Sequence, residues 1–574
     1  MKGETMTPSD PGWHSYVEPA LSVRSADEVE WFETADVVVV GFGGAGVCAA
    51  LEARAQGVDV VAIDRYSGGG ATSVSGGVYY GGGTRIQRDA GIEDSAEDLF
   101  NYLKIETQGV VKDETLRKFC RDSSDNLNWL SSHGVPFAST VYKHKTVYPP
   151  DGYFLYYAGN ELLPQFQKYA RPAPRGHRTV GKGIFCGGNL FKALESAAHR
   201  SGVRLLPHSP VMRLVQDASG TVVGVEVNRL APGSVAQRRH QKAYRLFQKL
   251  LRFDKVRGAT AVKDHEQLER EAGERKLIRA RRGVILATGS FAFNRDMLRH
   301  YAPGYSAAMP IGTAGCDGSG IRLGQTVGGV TAQMQVVSAW RWISPPLSFV
   351  DGIIVDREAK RFVEEDSYSG RLGEEIGEHR DHTAYLIVDR KSYWRAWRET
   401  SPFKGRFFVM GLPILLTLLR NCRKGRTIEE LAAHYGLPVQ NLRRTIAEYN
   451  AGARQGQDSI GKSPDYLRPL DDGPYYIIDI STGNQATLCG TIPMGGLRVN
   501  EATGLVIRAD GSDIAGLYAA GRNAVGIPSH FYVSGTSIAD CVFAGRRAGL
   551  HAAQNRPWVT LIQTERVPAL RPRD

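Results

Sequence analysis

The residues whose types and spacing bear most directly on chemistry are Gly41-Phe42-Gly43-Gly44-Ala45-Gly46, with Asp64 about 20 residues further on. In such a run Gly41 makes a tight turn, Gly43 lets the backbone approach a pyrophosphate, and Gly46 lets helix and strand pack closely. A helix starting here would add amide donors and positive potential, and Asp64 is placed to accept hydrogen bonds from a ribose. The chemistry indicated is dinucleotide binding. A second run, SGGGATSVSGGVYYGGGT at 67–84, holds Thr72, Ser73, Ser75, Gly76 and Gly77. Its many amides and small side chains suit backbone wrapped closely around a cofactor, although the composition alone also fits a flexible linker.

These residues need rigid elements to position them. Val37 to Val40 is a β-branched apolar run that reads as a buried parallel strand. Val47, Ala50, Leu51 and Ala55 recur at helical spacing, Gly57 stops that helix, and Val58 to Ile63 is a second strand ending at Asp64. This is a complete βαβ unit. Residues 203–228 read as a strand and hairpin that carries Val211, and 282–290 as an apolar strand ending in the small turn Ala287-Thr288-Gly289. Residues 516–521 are a third strand of this kind, ending at Gly521, and Gly535-Thr536-Ser537 opens a helix running to about Ala553. The expected fold is α/β, with a Rossmann-like, doubly wound cofactor domain split by an inserted α+β capping domain. The expected divisions are a polar lead-in at 1–34, the cofactor domain at 35–300 and 476–556, the capping domain at 301–475 and a tail at 557–574.

The chain has 574 residues, too many for one compact core, and a formal net charge of +11. Seven scattered cysteines without a CxxC pair indicate neither a disulfide framework nor a metal site, which fits a reducing, cytoplasmic setting. The N-terminus has no apolar export signal, and no run reaches the roughly 18 apolar residues of a membrane span. Positive charge concentrates in a basic insertion at 231–280, within which 237–258 forms an amphipathic cationic pattern, and around the apolar stretch 403–426. Both read equally as elements that dock on anionic lipid or as elements that pack on the capping domain. The basic residues lie among aliphatic side chains rather than on a stacking platform, so nucleic acid is not expected.

Taken together, the fingerprint, Ser73 to Gly77 (SVSGG), ATGS at 287–290, GCDGSG at 315–320 and GLYAAG at 516–521 resemble the FAD-dependent fumarate reductase/3-ketosteroid dehydrogenase superfamily. The resemblance runs from about 36 to 555. It implies FAD bound in extended form, held non-covalently because ATSVSGG lacks the histidine that tethers the flavin in some relatives. It also adds Arg65, Val211, Gly521, Arg522, Gly535, Thr536, Ser537 and Ile538 to the cofactor-binding candidates already named.

In the C4-dicarboxylate reductases of this superfamily an arginine binds the substrate carboxylate, and Tyr532 stands at that position here. Tyr532-Val533-Ser534 before Gly535-Thr536-Ser537 is similar to the 3-ketosteroid Δ4-(5α)-dehydrogenases, as are PAPRGH at 172–177 and EDSYSGR at 365–371, which carries Tyr368. Arg522, where glutamate is common, and 527–530 depart from the pattern. The implied reaction removes the proton α to a ketone and passes the neighbouring hydride to flavin N5. Tyr532, helped by an amide near Gly535, would steady the developing enolate. Ser534 and Tyr368 would relay the proton, with the two tyrosines exchangeable in role. The alternatives are an ene-reductase or Δ1-dehydrogenase of the same superfamily, or a basic flavoprotein that binds membrane or RNA.

Overall fold

In the computed structural model, which describes residues 15–144, 146–250, 265–400, 411–484, 486–487 and 489–555, the strand Glu33–Val40 lies inside a nine-stranded sheet. Val37 to Val40 are buried on both faces, as the unbroken β-branched run requires. Val60–Ile63 pairs parallel to it on one side and the long strand Gly273–Leu286 on the other. The far half of that long strand continues into the hairpin Val211–Gln216/Val222–Leu230, and its near end also carries Asp513–Ala519, with Val284 opposite Leu517. Leu21–Ser22 pairs with the hairpin and Leu505–Ile507 with Asp513–Ala519, so a segment from residue 505 onward completes a sheet begun at residue 21. Residues 203–228 divide, as expected, into a strand and a hairpin. Arg204–Leu206 is a parallel partner of Val60–Ile63, and only the part from Val211 onward forms the hairpin.

Four smaller sheets surround this core, one of them the two-stranded pair Thr331–Ala332/Gly496–Leu497. Val78–Tyr80, Gly176–Arg178, Leu155–Tyr156 and Val141–Tyr142 form one, and Met309–Pro310, Cys489–Pro493 and Val337–Arg341 another. Ile353–Val355, Tyr385–Val388, Tyr475–Asp479 and Cys422–Gly425 form an antiparallel fourth.

The helix Gly44–Ala55 packs against the last helix, Thr536–Gln554, at unusually short range. A Cβ on Gly545 would stand 2.5 Å from the Ala45 carbonyl oxygen, and one on Gly549 2.3 Å from that of Ala49. Arg546 fastens the same contact by donating to Glu52 at 2.7 Å.

The cationic insertion forms the helix Val235–Leu250, its continuation 251–264 lying outside the described residues. Its aromatic residues Tyr244 and Phe247 pack against the chain itself, while Val235 and Leu246 are exposed. Tyr244 stacks on Tyr66 at 4.0 Å between ring centroids, and buried Phe247 meets Phe293 edge-on at 5.5 Å. This is packing against the strand end that carries Asp64 and, through Ala314 in the same cluster, against the start of 301–475. Of 403–426, the part to residue 410 lies outside the described residues, and Leu412–Arg420 is a helix. Among the described residues no helix is long and apolar enough to cross a membrane.

Replacing Gly549 with leucine should force the two helices apart, an overpacking that typically costs about 1–3 kcal/mol. The expected outcome is a Tm lower by several degrees with flavin released at the same lower temperature, read by parallel circular dichroism and flavin fluorescence melts.

Candidate active site

The glycine run does in space what its spacing requires. Gly41 takes a φ of +95°, and a Cβ there would lie 2.6 Å from the Ala287 carbonyl oxygen, while one on Gly46 would lie 1.9 Å from that of Gly41. Gly43 differs: its missing Cβ meets no atom nearer than 3.7 Å, and the residue lines a large cavity. The helix starting at Gly44 has no side-chain cap, so its first amides are left for whatever occupies that space. Asp64 accepts from the amides of Phe42 at 2.8 Å and Tyr66 at 2.7 Å. A carboxylate has lone pairs beyond these two, and Asp64 also faces the cavity, so ribose hydroxyls remain within its capacity.

The cavity has a volume of about 1260 Å³, larger than the roughly 300–1,000 Å³ usual for one small ligand. Ala45, Arg65, Thr72, Ser75, Gly76, Gly77, Val211, Ala287, Thr288, Gly289, Arg522, Ser537 and Ile538 line it, as do Tyr532, Ser534 and Gly535. Gly44, Gly46, Ser73, Gly521, Thr536 and Tyr368 stand off its wall. Gly44 backs onto Thr72, Gly521 packs on Ala45, the Ser73 hydroxyl donates to Gly70 O at 3.0 Å, and that of Thr536 donates to Val533 O at 2.6 Å.

Asn523 joins three of the sequence motifs. Its side-chain oxygen accepts from both the amide and the hydroxyl of Thr288, at 2.9 and 2.6 Å, while that hydroxyl accepts from Gly320 N at 3.2 Å. Arg522, the departure from the expected glutamate, has its guanidinium 3.4 Å from Asp540.

At the end defined by Val211 the wall is charged and internally paired. Arg65 donates to Glu269 and Asp317 at 2.8 and 2.9 Å. Glu269 in turn meets His240 at 2.9 Å, His240 meets His208 at 3.0 Å, and His265 meets the Tyr66 hydroxyl at 3.0 Å. The insertion is therefore latched across this end of the cavity.

Three-residue spacing and one aromatic contact position the other end. Gly535 takes a φ of +97°, turning the chain so that its amide points back at the Tyr532 hydroxyl, 3.5 Å away, and the last helix begins at the cavity. The Tyr532 ring stacks on Trp340 at 5.3 Å, and Trp340 meets Tyr368 edge-on at 6.2 Å. Tyr368 is held from behind, its amide donating to Asn160 Oδ1 at 2.8 Å. Its buried hydroxyl makes no hydrogen bond of good geometry but faces the Ser534 hydroxyl, which also faces Tyr156. Burial pushes the Tyr532 phenol up to about 12 and raises that of Tyr368 as well, where the neighbouring phenols add to the effect. Both are neutral donors at pH 7.

Trp340 and Tyr156 were not singled out from sequence. Tyr156 sits in the short strand Leu155–Tyr156, and Trp340 carries no motif. The PAPRGH segment is structural. Arg175 pairs with Asp94 at 2.7 Å with both side chains fully buried, and His177 bonds Thr84 at 2.8 Å. His530 lies 4.0 Å from Glu374 and is not among the cavity's lining residues.

Comparison with known proteins agrees with this geometry. The FAD binding domain family matches residues 36–538. This chain belongs to that family. Within it, the 3-oxo-5-alpha-steroid 4-dehydrogenase of Comamonas testosteroni is 40% identical over 516 residues, 88% of this chain and 96% of that protein. The crystal structure of 3-ketosteroid-delta4-(5alpha)-dehydrogenase from Rhodococcus jostii RHA1 in complex with 4-androstene-3,17-dione superposes with a TM-score of 0.77 and 32% identity, covering 93% of this chain and 99% of that one. The 3-ketosteroid delta1-dehydrogenase of Sterolibacterium denitrificans shares the fold, with a TM-score of 0.62 at 18% identity over 91% of this chain and 99% of that one.

The chain is an FAD-dependent oxidoreductase, and its residues fit the cofactor. The open side of Gly43 and the uncapped amides behind it suit the pyrophosphate, and Asp64 suits the ribose.

The histidine latch gives a pH dependence with a definite sign. Burial holds His208 down to about 4 and His265 to about 3, so both are neutral in the folded chain. Their contribution to stability is complete above the ordinary histidine value of about 6.5 and is lost as pH falls towards 4. Glu269 is held at about 2, chiefly by Arg65 against its burial, so its own contribution fails only below the ordinary carboxylate range. Buried carboxylates such as Glu106, held up to about 7, act with the opposite sign over this range, so the expected outcome is a difference: between pH 7.5 and 5 the wild-type Tm should fall relative to that of a His208→Asn, His265→Asn double variant.

Proposed function

We propose that this chain is a 3-ketosteroid dehydrogenase that uses FAD to introduce the C4–C5 double bond into 5α-3-ketosteroids. The observation that carries the reading is the meeting of Tyr532, Ser534 and the Gly535 amide with a tryptophan-lined apolar wall, in a cavity continuous with the dinucleotide cradle. Tyr532 offers a neutral donor where a dicarboxylate would need a cation, and this suits an uncharged ketone oxygen. The names of the Comamonas and Rhodococcus relatives support the same substrate class.

In this reading the cofactor site is formed by Gly41 to Gly46, Asp64, the 72–77 loop, Ala287 to Gly289 and the start of the last helix, with 301–475 as the cap. FAD, when bound, accepts the hydride leaving C5. The side chains handle the C4 proton and the charge it leaves behind. Tyr532 and the Gly535 amide donate to the C3 carbonyl oxygen, which makes the C4 hydrogen acidic enough to leave. The Ser534 oxygen takes that proton as its own hydroxyl proton moves to Tyr368, which passes one on towards solvent. With both phenols held neutral, neither serves as a free phenolate base, so donor and relay are the roles open to them. Trp340 fixes the Tyr532 ring and keeps water away from the enolate charge.

Anaerobic mixing of the holoenzyme with 5α-androstane-3,17-dione should bleach the flavin and yield the Δ4 product, with the 5β isomer inert. Unchanged flavin absorbance overturns the reading, and a Δ1 product reassigns the bond. Tyr532→Phe should keep its flavin and lose turnover by a factor of about 10² to 10⁴. Full activity in that variant removes Tyr532 from its role.

A further inference from the structure

The apolar stretch of the cavity wall carries one cation at its solvent-exposed edge, Arg420. Between Ile343 and Ile492 the described lining residues are all apolar or hydroxyl-bearing, apart from Arg420. The two hydroxyls are already committed, Thr417 donating to Ala486 O at 2.8 Å and Thr487 to Asp479 O at 2.9 Å. The Arg420 guanidinium has no ion pair or hydrogen bond among the described residues. Its neighbourhood in sequence offers no acid either, since 401–428 contains no Asp or Glu. By contrast, three of the four other arginines that line the cavity, Arg65, Arg275 and Arg522, each face a carboxylate, at 2.8 Å from Glu269, 3.2 Å from Glu226 and 3.4 Å from Asp540, and the fourth, Arg270, stands near Glu266 at the cofactor end. Arg420 stands at the C-terminal end of the helix Leu412–Arg420, where the helix dipole favours a cation but provides no counter-ion.

A steroid's fused rings hold the C3 ketone and the C17 substituent at opposite ends of a rigid body. With the ketone at Tyr532, the ring system has to lie along the wall of the same cavity, which this helix helps to form. We propose that Arg420 is an anion subsite, and that the substrates suited to this cavity are 5α-3-ketosteroids carrying a carboxylate on a C17 side chain. An apolar wall takes the rings, and a guanidinium matches a carboxylate with two parallel hydrogen bonds. The inference rests on the desaturase reading and on Tyr532 as the ketone end.

The test compares kcat/KM of the holoenzyme on 3-oxo-5α-cholan-24-oic acid, its methyl ester and 5α-androstane-3,17-dione, for wild type, Arg420→Gln and Arg420→Lys. Wild type should favour the acid over its ester. Arg420→Gln should lower kcat/KM for the acid about tenfold, mostly through KM, as expected for loss of a charge-assisted pair. The ester and the dione should change by less than about twofold, and Arg420→Lys should recover part of the loss. If all three steroids turn over and Arg420→Gln treats acid and ester alike, or if wild type prefers the ester, the subsite is overturned and the desaturase reading stands. If wild type turns over none of the three, the desaturase reading falls and the subsite falls with it.

Discussion

The structure depends on how closely two helices can approach. Gly44–Ala55 leaves the cofactor fingerprint, and Thr536–Gln554 leaves the catalytic segment, almost 500 residues apart in sequence. Because Gly545 and Gly549 have no side chains, the second helix lies directly against the carbonyls of Ala45 and Ala49. Interaxial distance is set by the side chains at the contact, and here these are as small as they can be. Both helix N-termini consequently open on the same cavity, so that Gly43, which suits a pyrophosphate, and Gly535, which turns its amide towards Tyr532, belong to one site.

That site is divided by polarity. At one end Arg65, Glu269, Asp317 and the histidines pair among themselves in a buried network. At the other, aromatic and aliphatic side chains surround two phenols and remove them from water. Desolvation disfavours a phenolate, and this turns Tyr532 and Tyr368 from weak acids into committed hydrogen-bond donors. The same absence of water strengthens whatever electrostatic stabilisation Tyr532 and the Gly535 amide provide.

Much of this could be read from the sequence, because local rules and tertiary structure agree there. The β-branched run at Val37 and the spacing of Gly41, Gly43 and Gly46 each permit few alternatives, and their geometry matches the reading residue by residue. Tyr532 and Ser534 were accessible only through resemblance, since nothing local separates them from other tyrosines and serines. Trp340 could not be found that way: its importance lies in the ring it stacks on, nearly 200 residues downstream. The insertion at 231–280 was legible as an amphipathic helix but not in its destination. An apolar stripe beside arginines has the same pattern whether it meets lipid or Tyr66, and only the fold determines which surface reaches it.

The position of that helix has a kinetic consequence. Val235–Leu250 and residues 265–272 close over the end of the cavity at which the chain turns from Asp64, and they are held by contacts between residues some 200 positions apart, such as Arg65 with Glu269 and Tyr66 with His265. A dinucleotide seated against this end would meet those contacts as it left, so its residence time would depend on how often the latch opens as well as on its own contacts.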